Sequence, residues 1–216
     1  MISKRSAVGI IATTAVAPLL AMRTRRAVGQ PASKTTEKTA MKIYLASPLG
    51  FSQIGRDFYN RRLVPEIVRL GYEVVDPWKL TDDAKIKAVK DMDYGEPKRK
   101  AWRALNVEIG GNNRAGIDRA DAVFAILDGV DVDSGTAAEI GYAFAKGKAI
   151  LGYRGDFRLS ADNEGSIVNL QVEYFIRQSG GDIICSLGKG WDLLENLENL
   201  EPALKKLEEA VVKKSK

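Results

Sequence analysis

The stretch of sequence that decides the fold is AVFAILDGVDVDSGTAAEIGYA, residues 122–143. It begins with an uninterrupted apolar run at 122–127, which predicts a central strand buried on both faces of a sheet. A polar loop at 128–136, rich in aspartate, follows this run, and a helical pattern then continues to residue 146. A strand, a loop and a helix in this order are typical of a parallel sheet covered by helices.

The rest of the body repeats this alternation of short apolar runs and longer amphipathic stretches. Strands are predicted at 42–46, 72–75, 122–127, 149–153 and 183–187. Helices are predicted at 52–70, at 82–93 and at 97–119, the last with a break around 110–113. Further helices are predicted from the end of the loop at 128–136 to residue 146, at 167–178 and from about 191. The pattern predicts an α/β fold: a flavodoxin-like, doubly wound sheet of about five parallel strands with helices on both faces. Ligands bind such sheets beyond the carboxyl ends of the strands, so we expect the site after strands one and three.

The first 40 residues differ from the body in composition. A short basic start precedes an apolar run at 8–22, which has the length of a signal-peptide core and is short for a membrane span. Three interpretations stay open: an export or organelle-targeting segment, a membrane anchor, or a start that lies at Met41. The sequence therefore predicts an extension at 1–40 and one domain at 41–216, and the protein is cytoplasmic only if the extension is absent from it.

Composition excludes several classes of chemistry. The 216 residues contain no histidine, which rules out catalytic triads and zinc sites built on imidazole. Seven basic residues and one acid lie in 1–40, leaving 26 basic and 27 acidic residues in the body, a net of −1. A nearly neutral body argues against a nucleic-acid partner. No phosphate-binding glycine motif and no metal cluster is recognisable, so no cofactor and no metal is expected.

Glu139 is the candidate catalytic residue of the stretch at 122–143, because it follows the aspartate-rich loop near the start of a helix. A helix N-terminus favours negative charge, so Glu139 is expected to stay ionised, as a nucleophile must. Spacing alone leaves a second interpretation of Glu139 open. Thr136-Ala137-Ala138-Glu139 fits a capping box, in which the glutamate only bonds back to the first residue of its helix. The loop itself could also be a calcium site or a solvated turn, although it lacks the rest of a calcium loop.

Three blocks of sequence resemble the nucleoside 2-deoxyribosyltransferase family. The first is KIYLASPLGF at 42–51, and the last is VNLQ at 168–171. The middle block is IDRADAVFAILDG at 117–129, which runs on into DSGTAAEIGYA at 133–143, and it is the most specific of the three. Together the blocks span most of the body. The resemblance favours Glu139 as a nucleophile over Glu139 as a cap.

The resemblance implies a role for each matching residue. Glu139 would attack C1′ of a 2′-deoxynucleoside and a second base would then attack the covalent deoxyribosyl-enzyme, with Tyr44 orienting the nucleophile. Asp133 would hold the sugar or nearby polar groups of the substrate, and Phe51 would stack on the base. Asn169 would reach a neighbouring subunit's site to bind the 5′-hydroxyl, which requires a homo-oligomer. The implied partners are nucleosides and free bases, in nucleoside salvage.

Two positions depart from the family pattern. Asn113 stands where the family commonly has an aspartate near the base, and an amide can hydrogen-bond a base but cannot deliver a proton to it. Gln171 stands where the family often has methionine, which makes this edge of the substrate site more polar. Base preference is therefore open.

Two other functions remain open alongside base exchange. Relatives of this fold cleave 2′-deoxynucleoside 5′-monophosphates with water as acceptor, and Ser134, Gly135 and Thr136 at a helix N-terminus could bind the phosphate. Asp133 beside them favours a neutral 5′-hydroxyl instead. The third possibility is a nucleotide-binding protein without catalysis, in which Glu139 is only a cap.

Overall fold

Five parallel strands form one sheet in the computed structural model, which describes residues 40–156, 158, 164–185 and 197–214. The strands are β1 (Lys42–Ala46), β2 (Glu73–Val75), β3 (Ala122–Ile126), β4 (Ala149–Arg154) and β5 (Ile183–Cys185). Their order across the sheet is β2-β1-β3-β4-β5, and every neighbouring pair is parallel. This is the flavodoxin-like order, so the predicted fold class is confirmed.

Helices connect the strands along the described part of the chain. They are α1 (Gln53–Phe58), α2 (Val64–Arg69), α3 (Asp83–Lys90), α4 (Glu96–Arg119), α5 (Ser134–Ala145), α6 (Leu170–Gln178) and α7 (Leu200–Lys214). A π-helical turn at Tyr59–Leu63 joins α1 to α2, so they form the one helical stretch predicted after β1. Short 3₁₀ turns lie at Pro48–Phe51, Pro77–Lys79 and Leu197–Asn199.

The hydrophobic core lies on both faces of the sheet because side chains alternate along each strand. Ile43 and Leu45 of β1 face one cluster, which they share with residues of α2 and α7. Tyr44 and Ala46 face the other cluster, which contains residues of α4, α5 and α6. All five residues of β3 are buried, as expected for a central strand covered on both sides. Tyr44 therefore faces the helix that carries Glu139.

The break predicted around 110–113 is wrong, because α4 runs unbroken through these residues. Gly110 and Gly111 weaken a helix by only about 1 kcal/mol each, which packing elsewhere along α4 can offset. The Asn112 side chain donates to the Leu80 carbonyl at 3.2 Å and to Thr81 Oγ1 at 3.0 Å. An asparagine that suggested a loop thus fastens the helix to the segment after β2.

Some predicted features lie outside the described residues. They are the extension, apart from residue 40, the last two residues of the strand predicted at 183–187, and the start of the helix predicted from about 191. The extension, the domain boundary and the location of the protein thus stay predictions. Among the helices that the structure describes, none is long and apolar enough to cross a membrane.

Candidate active site

A hydrogen bond between Tyr44 and Glu139 lies at the centre of the candidate site. The Tyr44 hydroxyl donates to Glu139 Oε1 at 2.5 Å, joining β1 to α5 across 95 positions of sequence. The tyrosine side chain is fully buried, and the glutamate is half-buried. A buried strand residue thus fixes one oxygen of a carboxylate at the edge of the core.

Asn113 on α4 approaches the same carboxylate oxygen. Its Nδ2 donates to Glu139 Oε1 at 3.4 Å, a long hydrogen bond, while its Oδ1 is buried and accepts no hydrogen bond in the described structure. Glu139 Oε2 accepts no hydrogen bond from any described residue. Two donors therefore orient one oxygen of Glu139, and the other oxygen remains available for a ligand.

Burial controls the ionisation of this pair. Removal from solvent raises the pKa of Glu139 to about 7; the Tyr44 hydrogen bond opposes that shift, and the negative charge of Asp133 adds to it. Burial, together with the neighbouring Glu139, also raises the pKa of the Tyr44 hydroxyl. The tyrosine thus stays a hydrogen-bond donor while the glutamate changes charge near neutral pH.

The expectation that a helix N-terminus keeps Glu139 ionised is wrong. Helix α5 begins at Ser134, so Glu139 is its sixth residue and lies beyond the first turn, where the dipole acts most strongly. The capping-box interpretation also fails, because Asp133 is the cap residue and Glu139 bonds to Tyr44 and Asn113 instead. Glu139 is therefore a buried carboxylate held by side chains rather than a cap.

Asp133 occupies the N-terminus of α5 with its own carboxylate. Its Oδ2 accepts from the Thr136 backbone N–H at 2.9 Å and lies 3.3 Å from the Thr136 hydroxyl. Because Asp133 also raises the pKa of Glu139, its charge lies within electrostatic range of the nucleophile candidate. This helix N-terminus thus already carries an anion.

A second carboxylate and tyrosine pair lies beside Tyr44, and sequence reasoning missed it. Asp76, the residue directly after β2, is buried and accepts from the Tyr59 hydroxyl at 2.8 Å. Burial and Asp76 raise the pKa of Tyr59. Since Val75 pairs with Tyr44 in the sheet, Asp76 follows at the same edge. The sequence does contain a signal for this pair, because an aspartate that directly follows a predicted strand lies at the carboxyl edge of the sheet.

Two aromatic residues lie at the same edge. Phe51 ends the 3₁₀ turn after β1 and is 75% exposed, while Trp78 lies in the 3₁₀ turn after β2 and is 37% exposed. Their ring centroids are 4.9 Å apart and their planes are nearly perpendicular, at 84°. Phe51 was among the predicted site residues; Trp78 was not.

Asn169 and Gln171 lie at the start of α6 and make no hydrogen bond to Glu139 in the described structure. Asn169 caps this helix, with Oδ1 accepting from the Gln171 backbone N–H at 3.0 Å. Val168, next to them, packs in the same buried cluster as Val132, which precedes α5. Helix α6 also contacts α5, the helix that Asp133 caps, and the implied roles of the two residues stay predictions.

Arg154 is a buried residue that sequence reasoning also missed, since a charged residue ending a strand usually faces solvent. It is only 1% exposed, and its guanidinium donates to the carbonyls of Leu127 at 2.5 Å and Gly129 at 3.2 Å. Nearby, Asp128 Oδ1 accepts from the Asp156 backbone N–H at 2.7 Å. These bonds join the loops after β3 and β4, and the first of these loops leads into α5.

Metal ligands are scarce in this arrangement. Among the residues that the structure describes, no group of three or more histidine, cysteine, aspartate or glutamate side chains could hold a metal ion. The chemistry available to the described side chains is that of carboxylates, phenols and amides.

The fold and the site define a class of protein. It is a doubly wound α/β protein whose candidate site, at the carboxyl edge of the sheet, contains a carboxylate that a tyrosine orients. The model of one family, nucleoside 2-deoxyribosyltransferase, matches residues 43–171, which is more than half of the chain. The chain therefore belongs to the nucleoside 2-deoxyribosyltransferase family. The predicted family is confirmed, and a nucleoside glycosyl-transferring type of function is supported.

The chain is similar to solved structures from three organisms. A conserved protein from Enterococcus faecalis V583 is 24% identical, with 77% of this chain and 98% of that chain covered and a TM-score of 0.50. A 2-deoxyribosyltransferase from Bacillus psychrosaccharolyticus is 25% identical, with coverages of 72% and 90% and a TM-score of 0.44. A CMP N-glycosidase from Clostridium botulinum is 20% identical, with coverages of 74% and 99% and a TM-score of 0.39. A comparison with curated proteins gives no match.

Proposed function

We propose that this protein exchanges the base of 2′-deoxynucleosides through a covalent deoxyribosyl-Glu139 intermediate, in nucleoside salvage. The observation that carries the proposal is the orientation of Glu139. Tyr44 and Asn113 both donate to Oε1, while Oε2 accepts no hydrogen bond from the described residues. A nucleophile needs one oxygen fixed and the other available, and this arrangement supplies both.

The proposed reaction is a double displacement. Glu139 Oε2 attacks C1′ of the donor nucleoside, the bond from C1′ to the base nitrogen breaks, and its electron pair leaves with the base. A nitrogen of the second base then attacks C1′, loses its proton to water and releases the Glu139 carboxylate. Two inversions at C1′ retain the β anomer.

The departing base needs a proton, and Asn113 cannot supply it because an amide is not an acid at neutral pH. We propose that water protonates the departing base at the open edge of the site. Asn113 instead holds the nucleophile, since its Nδ2 donates to Glu139 Oε1. Bases that leave easily without an enzymic acid should therefore be the better donors.

Asp133 supports a neutral nucleoside rather than a nucleotide as substrate. A phosphate at the N-terminus of α5 would need the backbone N–H of Thr136, which the carboxylate of Asp133 already occupies. It would also meet the negative charge of that carboxylate. The 5′-hydroxyl of a nucleoside carries no such penalty and can donate a hydrogen bond to Asp133.

We further propose that the protein works as a homo-oligomer in which Asn169 and Gln171 complete the site of a neighbouring subunit. The two residues lie at the exposed start of α6 and make no hydrogen bond to their own Glu139 in the described structure. Asn169 caps α6 through Oδ1, which fixes its side chain at the start of this helix.

Product analysis of the full chain tests the proposed function. The protein is incubated with deoxyinosine plus adenine, and separately with a deoxynucleoside 5′-monophosphate alone. Chromatography should show deoxyadenosine in the first mixture and no free base in the second. Free base from the monophosphate without an acceptor would indicate a hydrolase, and no turnover in either mixture would indicate a binding protein. Glu139→Gln serves as the inactive control.

A further inference from the structure

The buried pair of Tyr59 and Asp76 plays no part in the reaction proposed above. Both residues are buried, and the tyrosine hydroxyl donates to Asp76 Oδ1 at 2.8 Å. Burying a carboxylate is costly unless it is paired and hydrogen-bonded. Lys79 supplies the opposite charge, with its Nζ 3.1 Å from Asp76 Oδ2. The hydrogen bond from Tyr59 thus helps to keep a charged group inside the protein.

Asp76 connects this hydrogen bond to the turn that follows β2. Its Oδ1 also accepts from the Trp78 backbone N–H at 3.0 Å and so caps the 3₁₀ turn at Pro77–Lys79. The Leu80 backbone N–H closes the same turn by donating to the carbonyl of its first residue at 3.4 Å. One carboxylate oxygen therefore joins Tyr59 to the turn, and the position of Leu80 depends on that turn.

The Leu80 side chain packs beside the ring of Tyr44. At Gly116 of α4, an added Cβ atom would lie 2.8 Å from Leu80 Cδ1 and 3.0 Å from the Tyr44 ring, so both side chains rest on this glycine. The register of the sheet brings the same segments together, because Tyr44 pairs with the residue before Asp76. A continuous set of contacts thus leads from the buried pair to the tyrosine of the candidate site.

Electrostatics connect the two tyrosine–carboxylate pairs as well. Burial and Glu139 are the main causes that raise the pKa of the Tyr44 hydroxyl, and Tyr59 and Asp76 add to the shift. Conversely, Glu139 adds to the effect of burial and Asp76 in raising the pKa of Tyr59. Both phenols therefore remain protonated and keep their roles as hydrogen-bond donors.

We propose that Tyr59 and Asp76 form a positioning pair for the nucleophile Glu139. Their hydrogen bond holds the turn after β2, and Leu80 at the end of this turn holds the ring of Tyr44. The pair acts through Tyr44 and not on the substrate. The role of Glu139 as nucleophile rests on the proposed function, whereas the contacts from Tyr59 to Tyr44 rest on the geometry of the described residues.

Loss of the Tyr59 hydroxyl should loosen Tyr44 and, through it, Glu139. Asp76 would lose one of the two donors to Oδ1, which is costly for a buried charged acceptor, so the turn should shift. Burial raises the pKa of Glu139, and the Tyr44 hydrogen bond opposes that shift. A weaker hydrogen bond should therefore raise the pKa of Glu139 further. Asp133, whose charge also acts on Glu139, is not part of these contacts.

Two measurements on the full chain test the pair, and only one of them requires turnover. The pKa of Glu139 is measured by NMR titration of protein labelled with carbon-13 at the glutamate carboxyl carbon, and Glu139→Gln identifies the signal. Tyr59→Phe, which removes only a hydroxyl group, should raise this pKa. In base exchange from deoxyinosine to adenine at pH 9, it should lower kcat about tenfold and leave KM unchanged, because a misplaced nucleophile slows the chemical step.

Three further variants sharpen the test. Asp76→Ala removes the same hydrogen bond from the other side and should give the same two changes. Asp76→Asn keeps an oxygen acceptor and should restore most of the kcat lost in Asp76→Ala. Tyr72→Phe is the matched control, because Tyr72 is a buried tyrosine at the amino end of β2 whose hydroxyl donates to Glu208 of α7 at 3.5 Å. It should leave kcat and the pKa of Glu139 unchanged.

The inference is overturned if a folded Tyr59→Phe variant keeps both kcat and the pKa of Glu139, or if Tyr72→Phe changes them as much. A loss of thermal stability without either change would also overturn it, because a hydrogen bond with only a structural role gives that result. If Tyr59→Phe raises the pKa of Glu139 but the unmodified protein exchanges no base, the proposed function fails while the positioning pair stands.

Discussion

The proposed attack on C1′ requires an ionised Glu139, yet the surroundings of this residue favour the neutral form. Burial raises its pKa to about 7, and Asp133 adds to the shift. The Tyr44 hydrogen bond acts in the opposite direction and also aims the carboxylate. Spacing alone could not predict this pair, because 95 positions separate the two residues; the family resemblance predicted both. Trp78 and Asp76 were missed because neither belongs to the blocks that carry the resemblance.

The first prediction concerns the pH dependence of base exchange. The rate, measured as kcat/KM between pH 5 and pH 9, should rise with pH through about 7 as Glu139 ionises. At pH 6 it should be about one tenth of the plateau value. A rate that stays level down to pH 5 would show that the nucleophile has an ordinary carboxylate pKa.

Stability provides the control for this pKa. The pKa of Glu139 is higher in the folded state than its ordinary value of 4.5, so the fold favours the protonated form. The stability contributed by that form is complete below about 4.5 and is lost as pH rises through about 7. Glu139→Gln should therefore melt at a higher temperature than the unmodified protein at pH 8, and this advantage should disappear near pH 4.

The second prediction concerns Asn113→Asp. A carboxylate at this position would lie about 3.4 Å from Glu139 Oε1, so the two groups would share a proton. We expect the rising limb of the pH profile to move to higher pH and the rate at pH 7 to fall by about tenfold. Asn112→Asp is the matched control, because the Asn112 side chain bonds to Leu80 and Thr81 instead. The prediction is wrong if both variants keep the original profile.

At the scale of elements, local pattern predicted the strands well and the helix starts less well. The apolar runs of β1 and β3 are short, which favours a buried strand over a buried helix. The start of α5 was placed late because Thr136 resembled a cap, whereas Asp133 takes that position through a side-chain hydrogen bond. The break in α4 was predicted from glycine content, and packing overrides that preference.

Glycines of α4 give the third prediction. A Cβ added at Gly110 or Gly111 would meet nothing within 4 Å, so alanine there should stabilise the protein by about 0.5 to 1 kcal/mol each. At Gly116 a Cβ would lie 2.8 Å from Leu80 and 3.0 Å from the Tyr44 ring, so the same substitution should destabilise the protein and slow base exchange. Urea unfolding and activity assays measure both effects. Equal effects at all three positions would contradict the packing of α4 on Tyr44.

At the scale of the whole molecule, the sheet brings distant segments to one edge. Tyr44 in β1, Asn113 in α4 and Glu139 in α5 meet because their elements cover the same face of the sheet. The alternation of strands and helices predicts that topology. It does not predict which side chains touch, because contacts such as the Trp78 indole on Gly50 depend on distances between loops.

The fourth prediction concerns assembly. If Asn169 completes a neighbouring site, Asn169→Ala and Glu139→Gln should each be weakly active or inactive alone. Mixing the two variants under conditions of subunit exchange should restore activity, because sites with an intact Glu139 would receive Asn169 from the other variant. No restoration in verified mixed oligomers would place the role of Asn169 within its own subunit. Glu139→Gln mixed with unmodified protein is the control for exchange.

The most direct test of the account is capture of the covalent intermediate. The full chain is incubated with deoxyinosine in the absence of an acceptor base, denatured rapidly, digested and analysed by mass spectrometry. A single deoxyribosyl group should be attached to the peptide that contains Glu139, and it should be absent from Glu139→Gln and from protein that received adenine before denaturation. Release of free base with an unmodified Glu139 peptide, or attachment to another carboxylate, would contradict Glu139 as the nucleophile.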